Sequence, residues 1–343
     1  MMGQYDPDEL ARATNLGVTH DAPLAPFTSL KVGGPAKLLI RASLPGELAA
    51  CLGWAAASQV PVLVLGGGSN VVVADRGFPG LAIKVQASRQ EIGAGTITDD
   101  HGTTVLVDVE AGCMTASVSR WAAREGLGGV EWACGIPGTI GGAVAGNAGA
   151  YDGDIASIAD AVRAWVPGPT ASTGSVVVFA NAEMGFDYRR SRFKDPGHGV
   201  VLGVRLRLKR ADPERLLARI DELERTRRRR QPTERSCGSV FRNPPGDSAG
   251  RLLEAAGMKG HLRGDAQVSP VHANWIVNRG RATATDVAAL MREGQATVFA
   301  RDGIRLQPEV LLVGDWDPRD TEGLLREAAV APAHQFASQE PGQ

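Results

Sequence analysis

Residues 135–155, GIPGTIGGAVAGNAGAYDGDI, constrain this chain more than any other stretch. Seven glycines stand at 135, 138, 141, 142, 146, 149 and 153, beside Pro137, Thr139 and Asn147, and no Lys or Arg interrupts them. Glycine leaves backbone N–H groups unshielded and accepts φ > 0, so such a run lets the backbone press against a flat or phosphorylated ligand. Flexible linkers are also glycine-rich, but they are polar and carry serine. Here Ile136, Ile140, Ala143, Val144, Ala145 and Ala148 are interleaved. That pattern reads as a buried loop facing a ligand.

A second glycine loop lies upstream. Residues 61–65, PVLVL, read as a buried strand and Val71–Val73 as another, with Gly66, Gly67, Gly68, Ser69 and Asn70 turning between them. A Rossmann dinucleotide site needs G-x-G-x-x-G opening a helix. Val71 stands at the third glycine position and starts a β-branched triplet, so that fingerprint is absent. A strand–loop–strand of this kind still holds pyrophosphate through backbone N–H groups, with Ser69 and Asn70 adding hydrogen bonds.

Around these loops the pattern alternates between strand and helix. A polar lead-in over 1–22 carries one short helix near 8–14. Strands are expected at 37–40, 80–85, 104–109, 159–166, 175–179, 200–208 and 306–313, the last with one carboxylate, Glu309, amid apolar residues. That glutamate reads either as part of an exposed edge or as a buried acid paired with a cation. Helices are expected at 45–58, from Thr115 to Gly126, at 213–230, at 249–256, and from a Thr285 cap onward with Gly294 inside. In 186–194, Phe186, Tyr188 and Phe193 are expected to anchor the arginines between them.

Charge and cysteine content exclude several classes. A net charge of −1 gives no global attraction to nucleic acid or anionic membrane. The run Arg227-Arg228-Arg229-Arg230 ends a helix that also carries Glu214, Asp221, Glu222 and Glu224, with no aromatic in the run for base stacking. It reads as a solvated helix end complementing the helix dipole. Four cysteines without a C-x-x-C pair argue against zinc or a disulfide scaffold and fit a reducing cytoplasm. No metal site is expected. The N-terminus lacks an apolar leader and no run reaches transmembrane length, so a cytoplasmic protein of two or three domains is expected.

Seven segments in order resemble the UDP-N-acetylenolpyruvoylglucosamine reductase family of FAD enzymes in bacterial peptidoglycan synthesis. They are Thr28 with Gly33-Gly34-Pro35-Ala36; LGGGSNV at 65–71; GIPGTIGG at 135–142 with NAGAY at 147–151; Tyr188-Arg189, Ser191 and Phe193-Lys194; GSVF at 238–241 with Asn243-Pro244; His272-Ala-Asn with Ile276-Val-Asn278; and Pro308-Glu-Val310. The resemblance implies an α+β fold: a two-subdomain FAD-binding module of the vanillyl-alcohol-oxidase (PCMH) type plus a C-terminal α+β substrate domain. The subdomains would span 20–85 and 86–212, the UDP-sugar domain 213–314, with 315–343 a polar, mobile tail. Little room remains between Leu208 and Arg227 for an extra tyrosine-bearing loop, so the shorter subtype is implied.

By the same resemblance, FAD is held noncovalently by Gly66, Gly67, Gly68, Ser69, Asn70, Gly135, Pro137, Gly138, Thr139, Gly142, Asn147 and Gly149, and NADPH is the co-substrate. The catalytic residues would be Arg189 as carboxylate clamp, Glu309 beside it, and Ser239 as proton donor. Tyr188, Arg230 and Asn243 would contact the UDP-sugar substrate. Val32 replaces a threonine common in the family, and Arg230 a lysine. Another FAD oxidoreductase of this fold, of the alcohol or aldonolactone oxidase type, is the rival reading. The absence of a covalent-flavin His motif and the presence of segment 238–244 count against it. Small-molecule substrates, a monomer, and no nucleic-acid or membrane partner are expected.

Overall fold

The apolar run of a parallel strand and the amphipathic stripe of a helix both recur in the first third of the computed structural model, which describes residues 6–87, 95–168, 174–195 and 197–324. α1 (Pro7–Thr14) starts at Asp6, whose carboxylate accepts from the Asp8 and Glu9 N–H groups. β1 (Val18–Pro23), β2 (Pro35–Ala42), α2 (Pro45–Ala57), β3 (Val62–Leu65), β4 (Val71–Val73) and β5 (Phe78–Val85) follow. Four of these strands form a sheet in the order β1-β2-β5-β3, antiparallel at β1–β2 and parallel elsewhere. α2 lays Leu48, Cys51, Leu52 and Ala55 on Leu38, Ile40, Leu81 and Ile83, which is why both elements read as nearly all-apolar.

The second core is built on β6 (Thr96–His101), β7 (Thr104–Glu110), α3 (Thr115–Arg124), β8 (Leu127–Gly128), α4 (Ile140–Ala145), β9 (Gly149–Ala150), β10 (Gly153–Asp154), α5 (Ile155–Ile158), β11 (Ala159–Pro167), β12 (Gly174–Ala180) and β13 (Val200–Arg210). An antiparallel sheet runs β12-β11-β13-β7-β6, with β8 added on β13. Met114, not Thr115, caps α3. The fully buried Thr115 hydroxyl instead donates to the Gly138 carbonyl at 2.8 Å, tying the glycine stretch to this helix. α6 (Pro213–Arg230), expected to open the third unit, buries Leu216, Ile220 and Leu223 with Ala123 of α3 and Cys134 in a small cluster of its own.

The third core holds β14 (Ser236–Ser239), α7 (Ala249–Ala255), β15 (Leu262–Arg263), β16 (Ala266–Val268), β17 (Trp275–Asn278), α8 (Ala284–Asp302) and β18 (Leu311–Val313). Its sheet order is β14-β17-β16-β15. Glycine inside α8 costs about 1 kcal/mol relative to alanine. A Cβ at Gly294 would lie 2.8 Å from a Leu253 methyl, so the glycine lets α7 and α8 approach. The cap of α8 is Thr283, which exchanges hydrogen bonds with Asp286, not Thr285. The Ala284 and Thr285 N–H groups instead donate to the Asp75 carboxylate, a helix cap supplied from over two hundred residues upstream.

Several contacts join the first and third cores. β18 pairs in parallel with β4, so the strand expected over 306–313 is regular only at its end; Pro308 makes an isolated bridge to Phe241. Val32 is buried with Leu30 and Val72 in the third core, which explains an aliphatic residue there. The segment after Asp315, expected to be mobile, packs as far as Leu324: Thr321 and Leu324 are buried and Trp316 lies against the third core. Residues 325–343 of that tail lie outside the described residues. Among the described residues no helix is long and apolar enough to cross a membrane.

Candidate active site

The three cores meet at a cavity of about 590 Å³. One wall is the β3–β4 loop, Gly66–Asn70 with its flanking strands; another runs from Ile136 through Ala150. Arg189, Phe193 and Lys194, then Arg227 and Gln231, then Cys237, Gly238, Ser239, Trp275 and Glu309 complete it.

The two glycine loops touch backbone to backbone. A Cβ on Gly67 would fall 2.5 Å from the Gly138 Cα, and one on Gly66 would collide with the Thr139 hydroxyl. Ser69 Oγ donates to the Pro137 carbonyl at 3.0 Å, latching the loops together. Gly68 takes φ +60° against the Phe27 carbonyl, a position only glycine occupies without strain. On the cavity side the opposite holds. A Cβ on Gly142 would meet only Thr139 Oγ1, at 3.9 Å, and one on Gly146 only the Gly142 carbonyl, at 3.5 Å. Side chains at these two wall positions would fill cavity instead of protein, so the bare backbone forms a cradle for a large ligand. Gln231 adds a buried Oε1 that has no hydrogen-bond partner among the described residues. A donor on a bound molecule would satisfy it.

Against the cradle lies a charged centre. Arg189 Nε stands 2.9 Å from Glu309 Oε1, and its Nη2 donates to the Gly149 carbonyl at 3.2 Å. Arg189 holds φ +55°, a left-handed conformation costing on the order of 1 kcal/mol for a side chain of this size. Burial pushes the Glu309 carboxyl above its ordinary value, against the pull of Arg189, Lys194 and Arg242. Glu309 is thus the buried, cation-paired acid of the two sequence alternatives. Arg189 and Lys194, both in the cavity wall, suit an anionic substrate. Asn70 Nδ2 donates to the Glu309 carbonyl at 3.3 Å, so the first glycine loop also steadies this acid.

Ser239 reaches the cavity by a local irregularity. β14 pairs with β17 at Ser236–Val277 and Ser239–Trp275, with a register shift between, and Gly238 takes φ +76°. Such a bulge re-aims the following side chain. Asn274 fixes Phe241, two residues on, from both sides, Oδ1 accepting from the Phe241 N–H at 3.0 Å and Nδ2 donating to its carbonyl at 2.8 Å.

Arg189, Ser239 and Glu309 therefore converge on one cavity, together with Gly66, Gly67, Gly68, Ser69, Asn70, Pro137, Gly138, Thr139, Gly142 and Gly149. Five expected site residues are not in its wall: Gly135, Asn147, Asn243, Tyr188 and Arg230. Asn147 is buried and knits the loop internally, accepting from the Ala156 N–H and donating to the Asp187 carbonyl. Asn243 Oδ1 accepts from the Ala249 N–H at the start of α7. Tyr188 is half-exposed, its ring 5.5 Å from the Arg189 guanidinium carbon, so it does not anchor its segment as Phe193 does. Arg230 is exposed on the last residue of α6. The cation of the run that lines the cavity is Arg227, expected to be solvated. Burial pulls its guanidinium below the ordinary value, and no carboxylate pairs with it among the described residues. Gly135 explains how it fits: a Cβ there would lie 2.5 Å from Arg227 Cδ. The signal was present in the sequence, because Arg227 continues the Leu216, Ile220, Leu223 stripe by four residues. Gln231 gave no comparable signal.

Comparison with known proteins agrees with this geometry. Residues 36–166 match the family model described as FAD binding domain. Residues 231–313 match that described as UDP-N-acetylenolpyruvoylglucosamine reductase, C-terminal domain, which begins where α6 ends. The UDP-N-acetylenolpyruvoylglucosamine reductase of Chloroflexus aggregans is 43% identical over 85% of this chain and 96% of its own length. That of Anaeromyxobacter sp. strain Fw109-5 is 44% identical over 94% and 98% respectively. The crystal structure of UDP-N-acetylenolpyruvylglucosamine reductase (MurB) from Thermus caldophilus superposes with a TM-score of 0.71 at 36% identity, over 87% of this chain and 98% of that one. The α+β architecture, an FAD-binding module followed by a C-terminal α+β domain, is the one expected from sequence. On identity of this level along nearly the whole length of its relatives, the chain belongs to the UDP-N-acetylenolpyruvoylglucosamine reductase family.

Proposed function

We propose that the chain reduces the enolpyruvyl group of UDP-N-acetylglucosamine enolpyruvate to UDP-N-acetylmuramate, with NADPH as reductant and FAD held noncovalently. The observation that carries this reading is the convergence of Arg189, Glu309 and Ser239 on a cavity also walled by bare glycine backbone. The Gly66–Asn70 and 136–149 walls would hold FAD, which would supply hydride transfer from NADPH to the enolpyruvyl β-carbon. Negative charge then collects at the α-carbon and its carboxylate. Arg189 would stabilise it, since a planar fork held in place before reaction costs no reorganisation. Glu309 would keep that fork aimed. Ser239 would protonate the α-carbon; a hydroxyl is a weak acid, but the carbanion-like centre is a strong base. Arg227, a half-buried cation with no acidic partner among the described residues, would take one of the substrate's anionic groups. The remaining elements of the proposal are units at 20–85, 86–212 and 213–314, a monomer acting in the cytoplasm on peptidoglycan precursors, and no nucleic-acid or membrane partner.

Rapid mixing tests the assignment by following the flavin band through two half-reactions. NADPH should bleach wild type and Ser239→Ala at similar rates, because reduction needs no proton at the α-carbon. The enolpyruvyl substrate should restore the colour roughly 10²–10⁴-fold more slowly in Ser239→Ala, the usual effect of losing a general acid. Equal slowing of both steps would remove Ser239 from the chemistry.

A further inference from the structure

The flavin cradle has a charged support that lies outside the cavity wall. Lys84 on β5 sits opposite Leu65, the residue before the first glycine loop, and its Nζ donates to the Gly66 carbonyl. No carboxylate pairs with it among the described residues; the charges near it are Arg41 on β2 and Lys31 on the loop before β2, both cations. Lys31 is itself spent on a carbonyl, donating to Pro26 at 2.7 Å, and Arg41 lies 5.4 Å over the Phe27 ring. The Phe27 carbonyl is the group against which Gly68 turns. Three cations therefore gather behind one loop, Lys31 and Arg41 exposed and Lys84 half-buried, and none pairs with a carboxylate among the described residues. Burial and these two neighbours pull the Lys84 ammonium below its ordinary value, the mark of a charge that lacks a counter-ion.

We propose that Lys84 is a positioning residue of the dinucleotide site: it fixes the Gly66–Ser69 loop through the Gly66 carbonyl and, with Lys31 and Arg41, supplies the field that favours a diphosphate on the loop's other face. The proposal rests on the reading of this cavity as the FAD site. A partly desolvated cation without a counter-ion is costly, and a dianion on the far face of the loop would offset that cost. The loop amides would make the contacts and the lysine would act behind them.

The test uses flavin-free protein and FAD as the probe, titrated at low and high salt in wild type, Lys84→Arg, Lys84→Met and Lys84→Gln. Lys84→Met should weaken FAD binding about tenfold or more and flatten its salt dependence, since one cation has left the field. Lys84→Arg should keep the wild-type salt slope and most of the affinity. Lys84→Gln, which retains a donor for the Gly66 carbonyl, should recover loop stability but not the slope, and carries the test should the methionine variant not fold. Weaker binding with an unchanged slope would show a purely structural support and overturn the electrostatic role. Wild-type affinity in the uncharged variants overturns this proposal alone. Failure of the wild-type protein to bind FAD overturns the cavity's assignment and the proposal with it.

Discussion

Replacing Gly67 with alanine should break the flavin cradle without touching a ligand. The new Cβ would stand 2.5 Å from the Gly138 Cα and 3.2 Å from its nitrogen. Ordinary carbon–carbon contact begins near 3.5 Å, so one loop must retreat by about 1 Å. Both partners are backbone, and no side chain can rotate away. Overpacking of this kind costs about 1–3 kcal/mol. Separation also strains the Ser69 Oγ to Pro137 hydrogen bond, worth about 1 kcal/mol. The total, roughly 2–4 kcal/mol, falls on the loop geometry that FAD must find preformed. At about 1.4 kcal/mol per tenfold, that corresponds to roughly a 30- to 700-fold loss of FAD affinity. Titration of flavin-free protein with FAD measures it, and urea unfolding of the same samples gives the cost in stability. Gly53→Ala is the control. It lies within α2 with nothing near its added Cβ, and should stabilise by about 0.5–1 kcal/mol. Wild-type FAD affinity in Gly67→Ala would refute the claim that the two loops must touch to form the cradle.

Three further outcomes are expected. Arg227→Ala should raise the apparent KM for the UDP-sugar about tenfold or more, whereas Arg230→Ala should leave it within twofold, as steady-state kinetics will show. Asp75→Ala removes both hydrogen bonds at the start of α8 and should cost about 1–2 kcal/mol in urea unfolding, with Asp75→Asn losing less. Glu309 has a pH signature: its carboxyl lies above the ordinary 4.5, so the folded chain holds that proton more tightly than the unfolded chain. The resulting stability is complete below pH 4.5 and is lost as pH rises through the raised value, so wild type should fall relative to Glu309→Gln over that rise.

The sequence carried the glycine loops well because their chemistry is local. A β-branched triplet after GGGSN cannot open a helix, and an apolar-studded glycine run is no linker. Glu309 was legible as a candidate for pairing, since an acid amid apolar residues must find a cation or stay at an edge. What escaped depends on distant chain. Thr285 carries the residue type of a cap, but Asp75 supplies acceptors to its N–H, and Thr283 wins the local competition by pairing with Asp286. Arg227 and Arg230 belong to one charge run; only the packing of α6 with Ala123 and Cys134 turns the first inward and leaves the second at the solvated end. Asn243 and Asn147, named by the resemblance, each accept a backbone N–H with the side-chain oxygen, a contact no motif discloses. The segment just after Asp315 is polar in composition, but Leu324 and Thr321 find buried positions there.

The central claim is that bare glycine backbone at this cavity holds a flavin without a covalent tether. The visible spectrum of the purified protein, taken before and after acid precipitation, tests it most directly. A yellow protein is expected, its flavin passing into the supernatant on precipitation. A protein that stays colourless when mixed with FAD, or colour that remains in the pellet, would contradict it.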